Sequence, residues 1–360
     1  MKNICFLVGN LNNPGGTERV ATSIANQLLK ENFNIFILSF YEGLNPFFKL
    51  EDGVLIDNLY PNKKSFFNSF FNIVIRIRKY IIKNKIDTLI VVDSISCIFT
   101  VPALIGLKVN HICWEQFNYN VNLGVVYRKW GRILAAKYCN YIVTLTERDK
   151  VLWKKNIGKE KIRAKIITIP NSNPYINLDN LSSYKRTKTV LAVGRLTHQK
   201  GFDILLKAWA EFCKINQDWS LNIIGNGEDE KNLKILANSL NISSRVVFIP
   251  ATKDIDFYYK KSSIFCLSSR YEGFGMVILE AQAFGLPVVS FDCDCGPSDL
   301  IRHGENGYLV PEGDIIALSN YLLRLVSCSK DEFNKFSKNS FLNAQEFNID
   351  KLINCWHKIV

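Results

Sequence analysis

Short apolar runs alternate with amphipathic stretches along the whole chain, and no other feature restricts the fold as much. In the first half the runs occupy 4–8, 35–39, 54–59, 88–92, 109–113, 141–144 and 165–169. Helical periodicity lies between most of them, for example over 18–29. Each run is too short for a helix, and its apolar residues are continuous rather than alternating. That is the pattern of a parallel strand buried on both faces. Strands and helices in alternation define an α/β fold built on doubly wound sheets.

The alternation breaks once. Residues 171–188 are rich in Asn, Ser, Tyr and Lys, lack any period, and read as an interdomain linker. Strands resume at 190–193, 221–224, 245–249, 264–267 and 288–291, with helices at 202–212, 228–240, 276–283 and 315–325. A chain of 360 residues accommodates two domains of ordinary size. The expected organisation is a Rossmann-like domain over 1–175, a second over 185–340, and a C-terminal helix over 341–360 packing back toward the first. Two such domains facing each other make a cleft, and ligands of such sheets bind at the carboxyl ends of the strands.

The formal net charge is +12, which favours anionic partners. No zinc-finger spacing and no aromatic RNA-binding run accompanies it, so nucleic acid is not an expected partner. Cys5, Cys97, Cys139 and Cys266 sit in or beside apolar runs and read as small core residues. Cys293 and Cys295 form the one close pair and lack partners at ligand spacing. Met1-Lys2 leads directly into the first strand, so no leader is expected, and no apolar run is long enough to span a bilayer. The expected location is a reducing cytoplasm.

Two glycine-bearing strand ends draw attention to anion binding. The first strand ends at Val8-Gly9-Asn10, and Pro14-Gly15-Gly16-Thr17-Glu18-Arg19 precedes the first helix. Helix N-termini entered through glycine offer N–H groups and a positive dipole end to a phosphate. The spacing is neither the dinucleotide GxGxxG nor a P-loop. In the second half, Val193-Gly194-Arg195 ends a strand and Lys200-Gly201 opens the next helix. Two cations on one strand-end loop suit a pyrophosphate.

The most specific segment runs Ser268-Ser269-Arg270-Tyr271-Glu272-Gly273-Phe274-Gly275-Met276-Val277-Ile278-Leu279-Glu280-Ala281. Glu272 falls in the loop after a strand, glycines flank Phe274, and Glu280 lies about one turn into the following helix. The N–H groups suit a phosphate. The two carboxylates would repel that phosphate unless each met hydroxyls, and sugars supply hydroxyls. A nucleotide-sugar satisfies both halves of the pattern.

This segment resembles the E-x7-E signature of glycosyltransferase family 4, a retaining family of the GT-B fold. Gly15-Gly16-Thr17-Glu18-Arg19, Gly194-Arg195 with Lys200-Gly201, Gly225-Asn226-Gly227-Glu228 and Gly304-Glu305-Asn306-Gly307 resemble its other motifs in the same order. The resemblance implies roles. Arg195 and Lys200 would bind the donor pyrophosphate, with Phe274, Gly275, Met276 and Val277 offering backbone N–H groups to it. Glu272 would act catalytically beside the reacting carbon, and Glu280 would accept hydrogen bonds from the ribose. Gly16 would let the donor phosphate or the acceptor approach the first domain.

Trp114-Glu115-Gln116-Phe117-Asn118 resembles a first-domain segment that commonly carries Glu-His. Glu115 and Gln116 are therefore candidate acceptor-side residues, and Gln116 cannot take up a proton. The loops 42–49 and 118–125 would select the acceptor. Asp292-Cys293-Asp294 has a DxD form but reads as a loop, and His111, His198, His303 and His357 are too dispersed to suggest a metal site. No cofactor and no metal is expected; the nucleotide-sugar is a substrate.

The implied activity is transfer of a hexose or N-acetylhexosamine, with UDP-sugars favoured as donors, to a lipid-linked saccharide in surface polysaccharide synthesis. A nucleotide-sugar epimerase of the same fold and a GDP-mannose-dependent mannosyltransferase are the alternatives. The stretch 63–85 sets Phe66, Phe70, Ile73, Ile77 and Tyr80 at helical spacing, with Arg76, Arg78, Lys79, Lys83 and Lys85 in its later half. It reads as a core-packed helix with a basic outer face, while Phe67 and Phe71 admit contact with anionic membrane.

Overall fold

A computed structural model describes residues 1–63, 69–122, 124–175 and 187–360. The chain forms two compact units, Met1–Ser172 with Ile349–Val360, and Asn173–Asn348.

The first unit carries the strands β1 (Asn3–Val8), β2 (Asn34–Ser39), β3 (Leu55–Asn58), β4 (Thr88–Val92), β5 (Asn110–Trp114), β6 (Tyr141–Thr144) and β7 (Lys165–Thr168). Its helices are α1 (Gly16–Lys30), α2 (Phe70–Lys83), α3 (Cys97–Ala103), α4 (Tyr127–Tyr138) and α5 (Glu147–Ile157). The strands form one sheet in the order β3-β2-β1-β4-β5-β6-β7, with every pair parallel. β1 and β4 at its centre are almost wholly buried, as their continuous apolar runs over 4–8 and 89–92 require. At the edge, β3 alternates exposed and half-buried positions.

The second unit holds β8 (Thr189–Val193), β9 (Ser220–Ile224), β10 (Val246–Ile249), β11 (Ile264–Leu267), β12 (Val288–Phe291) and β13 (Gly307–Val310). Its helices are α6 (Phe202–Ile215), α7 (Glu230–Ser239), α8 (Ile255–Lys260), α9 (Met276–Ala283), α10 (Pro297–Leu300), α11 (Ile315–Ser327) and α12 (Lys330–Glu346). Strand order is β10-β9-β8-β11-β12-β13, again parallel throughout. Numbered within the unit, this is the 3-2-1-4-5-6 order of a doubly wound sheet. Trp209 and Phe212 on α6 stack at 4.4 Å inside its core. Each fully buried side chain of this kind contributes about 1.5–3 kcal/mol.

Both sheets match the expected α/β, GT-B class. One strand escaped the sequence reading: β13 is four residues long and starts at Gly307, where a Cβ would collide with the Val288 carbonyl. The C-terminal boundary also differs. Residues 341–346 complete α12 in the second unit, and the segment belonging to the first unit begins with α13 (Ile349–His357). Trp356 meets Trp114 edge-on at 4.8 Å, and Asn110 Nδ2 donates to the Ile359 carbonyl at 2.6 Å. The sequence-expected linker falls partly on 176–186, outside the described residues, as do Phe66 and Phe67 of the basic stretch.

Candidate active site

The strand order of the second unit sets the site. β8 and β11 are neighbours whose chain connections depart to opposite sides, so their carboxyl ends open a crevice. Arg195 and Lys200 follow β8, and Glu272 follows β11, with Glu280 on α9. Residues far apart in sequence thus converge there.

Lys200 Nζ donates to Glu272 Oε1 at 2.6 Å, and Ser269 Oγ donates to the same oxygen at 2.6 Å. Both charged side chains are largely buried, 14% exposed for Lys200 and 8% for Glu272. A buried charge needs a partner of this kind, since removing one leaves the other unsatisfied. Arg195 stays exposed, with Gln199 Oε1 accepting from its guanidinium at 3.4 Å.

The two strand-end loops are bound into one piece. Arg270 grips Asp203 with two bonds of 2.9 and 2.8 Å and donates to the His198 carbonyl at 2.7 Å. This pairing holds the Asp203 carboxyl below its ordinary range. Gln199 Nε2 donates to the Tyr271 carbonyl at 3.1 Å, and Ser268 Oγ donates to that of Lys200 at 3.0 Å. Gly201 has φ +62°, and a Cβ there would strike the Ser268 carbonyl oxygen. The glycine is what lets the loops close on each other. The Arg270–Asp203 clamp escaped the sequence reading, because Asp in the first turn of a helix is ordinary.

Gly275, at φ +88°, turns the chain into α9. Met276 and Val277 then occupy the first turn, whose leading N–H groups lie outside the intrahelical ladder. Phe274 is buried and packs against Phe347 at 5.9 Å, so only its backbone can meet a ligand. Glu280, buried one turn on, accepts from the Tyr259 hydroxyl at 2.9 Å. Tyr259 in turn stacks on Phe284 at 5.2 Å. No sequence signal marks Tyr259, which precedes Glu280 by 21 residues on a different helix. Gly225-Asn226-Gly227 underlies the β8 loop: Cβ atoms at Gly225 and Gly227 would collide with the carbonyls of Gly194 and Leu196.

In the first unit, Gly16 begins α1 with no protein atom within 4 Å of a Cβ built on it. Packing does not demand that glycine. Glu115 is fully buried rather than presented to solvent. Ser94 Oγ donates to its Oε2 at 2.6 Å, Arg132 Nε at 3.2 Å, and the backbone N–H groups of Gln116 and Phe117 reach Oε1 at 3.2 Å. Arg128 clamps Asp93 at 2.5 and 2.9 Å and lies 3.7 Å from Glu115. Asp93 directly follows β4 with φ +87°, a strained conformation for a non-glycine residue. Burial, reinforced by the Glu115 carboxylate and opposed by Arg128, raises its pKa to about 6. Glu115 therefore ties Arg132 and Arg128 of α4 to the end of β5. Gln116 is half-buried beside it, and its Nε2 has no hydrogen-bond partner among the described residues.

Asp292 and Asp294 lie in the loop after β12 and belong to no group of three metal-capable side chains among the described residues. His198 faces Arg270 through its carbonyl only, and His303 packs on Tyr308 and Tyr321.

Two doubly wound sheets, one carrying cations and carboxylates at its strand switch point, define a two-unit α/β protein with a crevice suited to an anionic ligand. Residues 176–342 match the family model described as glycosyl transferases group 1. An uncharacterized glycosyltransferase of Haemophilus influenzae is 39% identical over the whole length of both chains. A Campylobacter jejuni enzyme named as a GalNAc-alpha-(1->4)-GalNAc-alpha-(1->3)-diNAcBac-PP-undecaprenol alpha-1,4-N-acetyl-D-galactosaminyltransferase is 29% identical, covering 100% of this chain and 98% of its own. Among solved structures, the sucrose-phosphate synthase of Thermosynechococcus elongatus superposes with a TM-score of 0.82 at 17% identity, over 99% of this chain and 98% of that one. The protein belongs to the group 1 glycosyltransferases and is a transferase enzyme.

Proposed function

We propose that the enzyme is a retaining glycosyltransferase that moves a hexose or N-acetylhexosamine from a UDP-sugar onto a lipid-linked saccharide in bacterial surface-polysaccharide synthesis. The observation carrying this reading is the Lys200–Glu272 pair at one strand switch point, on the same strand-end loops as Arg195 and the start of α9, the helix of Glu280. The donor's pyrophosphate takes Arg195, Lys200 and the N–H groups of Met276 and Val277, while Glu280 receives the ribose hydroxyls. With two cations and a helix terminus on the phosphates, the transfer needs no metal ion.

In the reaction, the bond between the anomeric carbon and the distal phosphate oxygen breaks. The acceptor oxygen bonds to that carbon on the same face, its proton passes to the departing phosphate, and a nucleoside diphosphate leaves. Glu272 stabilises the positive charge that develops on the sugar. The lipid-linked acceptor class rests on the Campylobacter relative's name. Such an acceptor requires the enzyme to meet a membrane surface, and among the described residues no helix is long and apolar enough to cross one.

Calorimetric titration of UDP, GDP and NAD into wild type and an Arg195→Ala/Lys200→Ala double variant tests the reading. Binding of UDP, weakened at least about a hundredfold in the variant, is expected from the loss of two charge-assisted contacts. GDP binding in place of UDP moves the donor class. Binding indifferent to both substitutions overturns the donor site.

A further inference from the structure

Away from the donor site, in the first unit, three elements bring thiols and an imidazole to one point. Cys97 opens α3, Cys139 directly follows α4, and β5 contributes both His111 and Cys113. The last two are spaced by two on a strand and so share one face of the sheet. All four are buried.

Three of the four bring their ligand atoms to one point. Cys97 Sγ and Cys139 Sγ stand 4.0 Å apart, and Cys139 Sγ is 3.5 Å from His111 Nδ1. The ligand atoms of Cys97, His111 and Cys139 all lie within 4.8 Å of one another. Cys113 is buried on the same face of β5 as His111, just outside this group of three. Zinc bound at its usual distances to sulfur and nitrogen sets S–S edges of about 3.8 Å and S–N edges of about 3.6 Å. The Cys97–Cys139 and Cys139–His111 edges lie within a few tenths of an ångström of these values.

The imidazole is oriented for this. Thr100 Oγ1 lies 3.4 Å from the Ser96 carbonyl and 3.0 Å from His111 Nε2, so with the hydroxyl donating to the carbonyl it would accept from an Nε2–H. That bond would fix the tautomer and leave the Nδ1 lone pair aimed at the thiols. Metal-bound histidines are held through their second nitrogen in this way.

We propose that Cys97, Cys139 and His111 bind a structural zinc ion that pins α3 and α4 to β5, with Cys113 turning its side chain in as the fourth ligand. With Cys113 in the fourth position and every ligand buried, no coordination site is left for a substrate, so the ion serves folding rather than catalysis. In the sequence, 42 residues separate Cys97 from Cys139. No CxxC pair announces the site, because its ligands come from three elements.

The test is elemental analysis of the full chain purified from zinc-supplemented culture without chelator, beside Cys139→Ser and a Cys328→Ser control. About one zinc per chain in wild type and control is expected, falling at least about tenfold in Cys139→Ser. Zinc retained in Cys139→Ser, or a wild-type chain that holds no metal, overturns the proposal. Thiol counting then shows whether the cysteines are reduced or whether Cys97 and Cys139 form a disulfide. Should Cys139→Ser fail to fold, refolding wild type with cobalt decides. Intense visible bands with thiolate charge transfer support tetrahedral sulfur ligation, and a spectrum no different from aqueous cobalt refutes it.

Discussion

Lys200 Nζ and Glu272 Oε1 form a 2.6 Å ion pair across the ends of two adjacent strands, although 72 residues separate them in the chain. The pair sits where the proposed donor pyrophosphate would arrive, so Lys200 has two competing anionic partners. Glu272→Gln removes one of them while keeping shape. It should lower kcat by about a hundredfold or more, as loss of a charge-stabilising group does. The Kd for UDP should stay within about threefold of wild type or tighten. Steady-state kinetics with calorimetry measures both, and a large loss of UDP binding with intact kcat would assign Glu272 to positioning Lys200 alone.

Loop closure in the second unit depends on two further features, the Gly201 turn and the Arg270–Asp203 clamp. Gly201→Ala places a methyl against the Ser268 carbonyl at a positive φ. A loss of about 2 kcal/mol or more is expected, combining backbone strain with the clash. Arg270→Lys keeps the charge but gives up the two-pronged grip, and should cost about 1 kcal/mol. Urea denaturation resolves both, and equal stability of Gly201→Ala and wild type would show that the loops relax apart.

Tyr259 is a positioning residue for Glu280. Tyr259→Phe deletes the 2.9 Å bond and leaves the ring stack on Phe284 in place. The Kd for UDP should rise about three- to tenfold, the net value of one ordinary hydrogen bond, because Tyr259 acts on the ligand only through Glu280. Titration with UDP and with inorganic pyrophosphate separates the causes. A ribose contact predicts that UDP weakens while pyrophosphate does not.

The first unit should lose stability as pH rises. Burial, then the Glu115 carboxylate, raise Asp149 from an ordinary 3.8 to about 8, against the Tyr119 N–H and Arg132. The folded chain therefore holds this proton more tightly than the unfolded chain. The stabilisation is complete below the ordinary carboxylate pKa and is lost as pH climbs to about 8, at up to about 1.4 kcal/mol per unit. Asp149→Asn cannot ionise, so the difference in Tm between variant and wild type should grow in the variant's favour across that range. A difference that does not change with pH would exclude the linkage.

On α2, Ile73, Ile77 and Ile81 are buried, while Phe71 is 79% exposed beside Ile75, Arg76 and Lys79. This outer face pairs apolar and basic groups. Sedimentation with anionic vesicles should exceed that with neutral vesicles and fall in Phe71→Ser/Lys79→Ser. Equal sedimentation with both vesicle types would remove the electrostatic contribution.

The periodicity of apolar runs by itself determined the two parallel sheets, because a strand buried on both faces must be apolar throughout. It also placed Arg195, Lys200, Glu272 and Glu280 at strand ends and on α9, since the chain turns where the apolar runs stop. Tertiary structure alone decided what each of these meets. The Lys200–Glu272 pair, the Tyr259 bond to Glu280 and the burial of Glu115 under two arginines come from strand order and side-chain packing, which local sequence does not encode. The meeting of His111 with Cys97 and Cys139 is of the same kind. Periodicity is a property of neighbours along the chain, whereas a site assembled from several strands and helices is a property of neighbours in space.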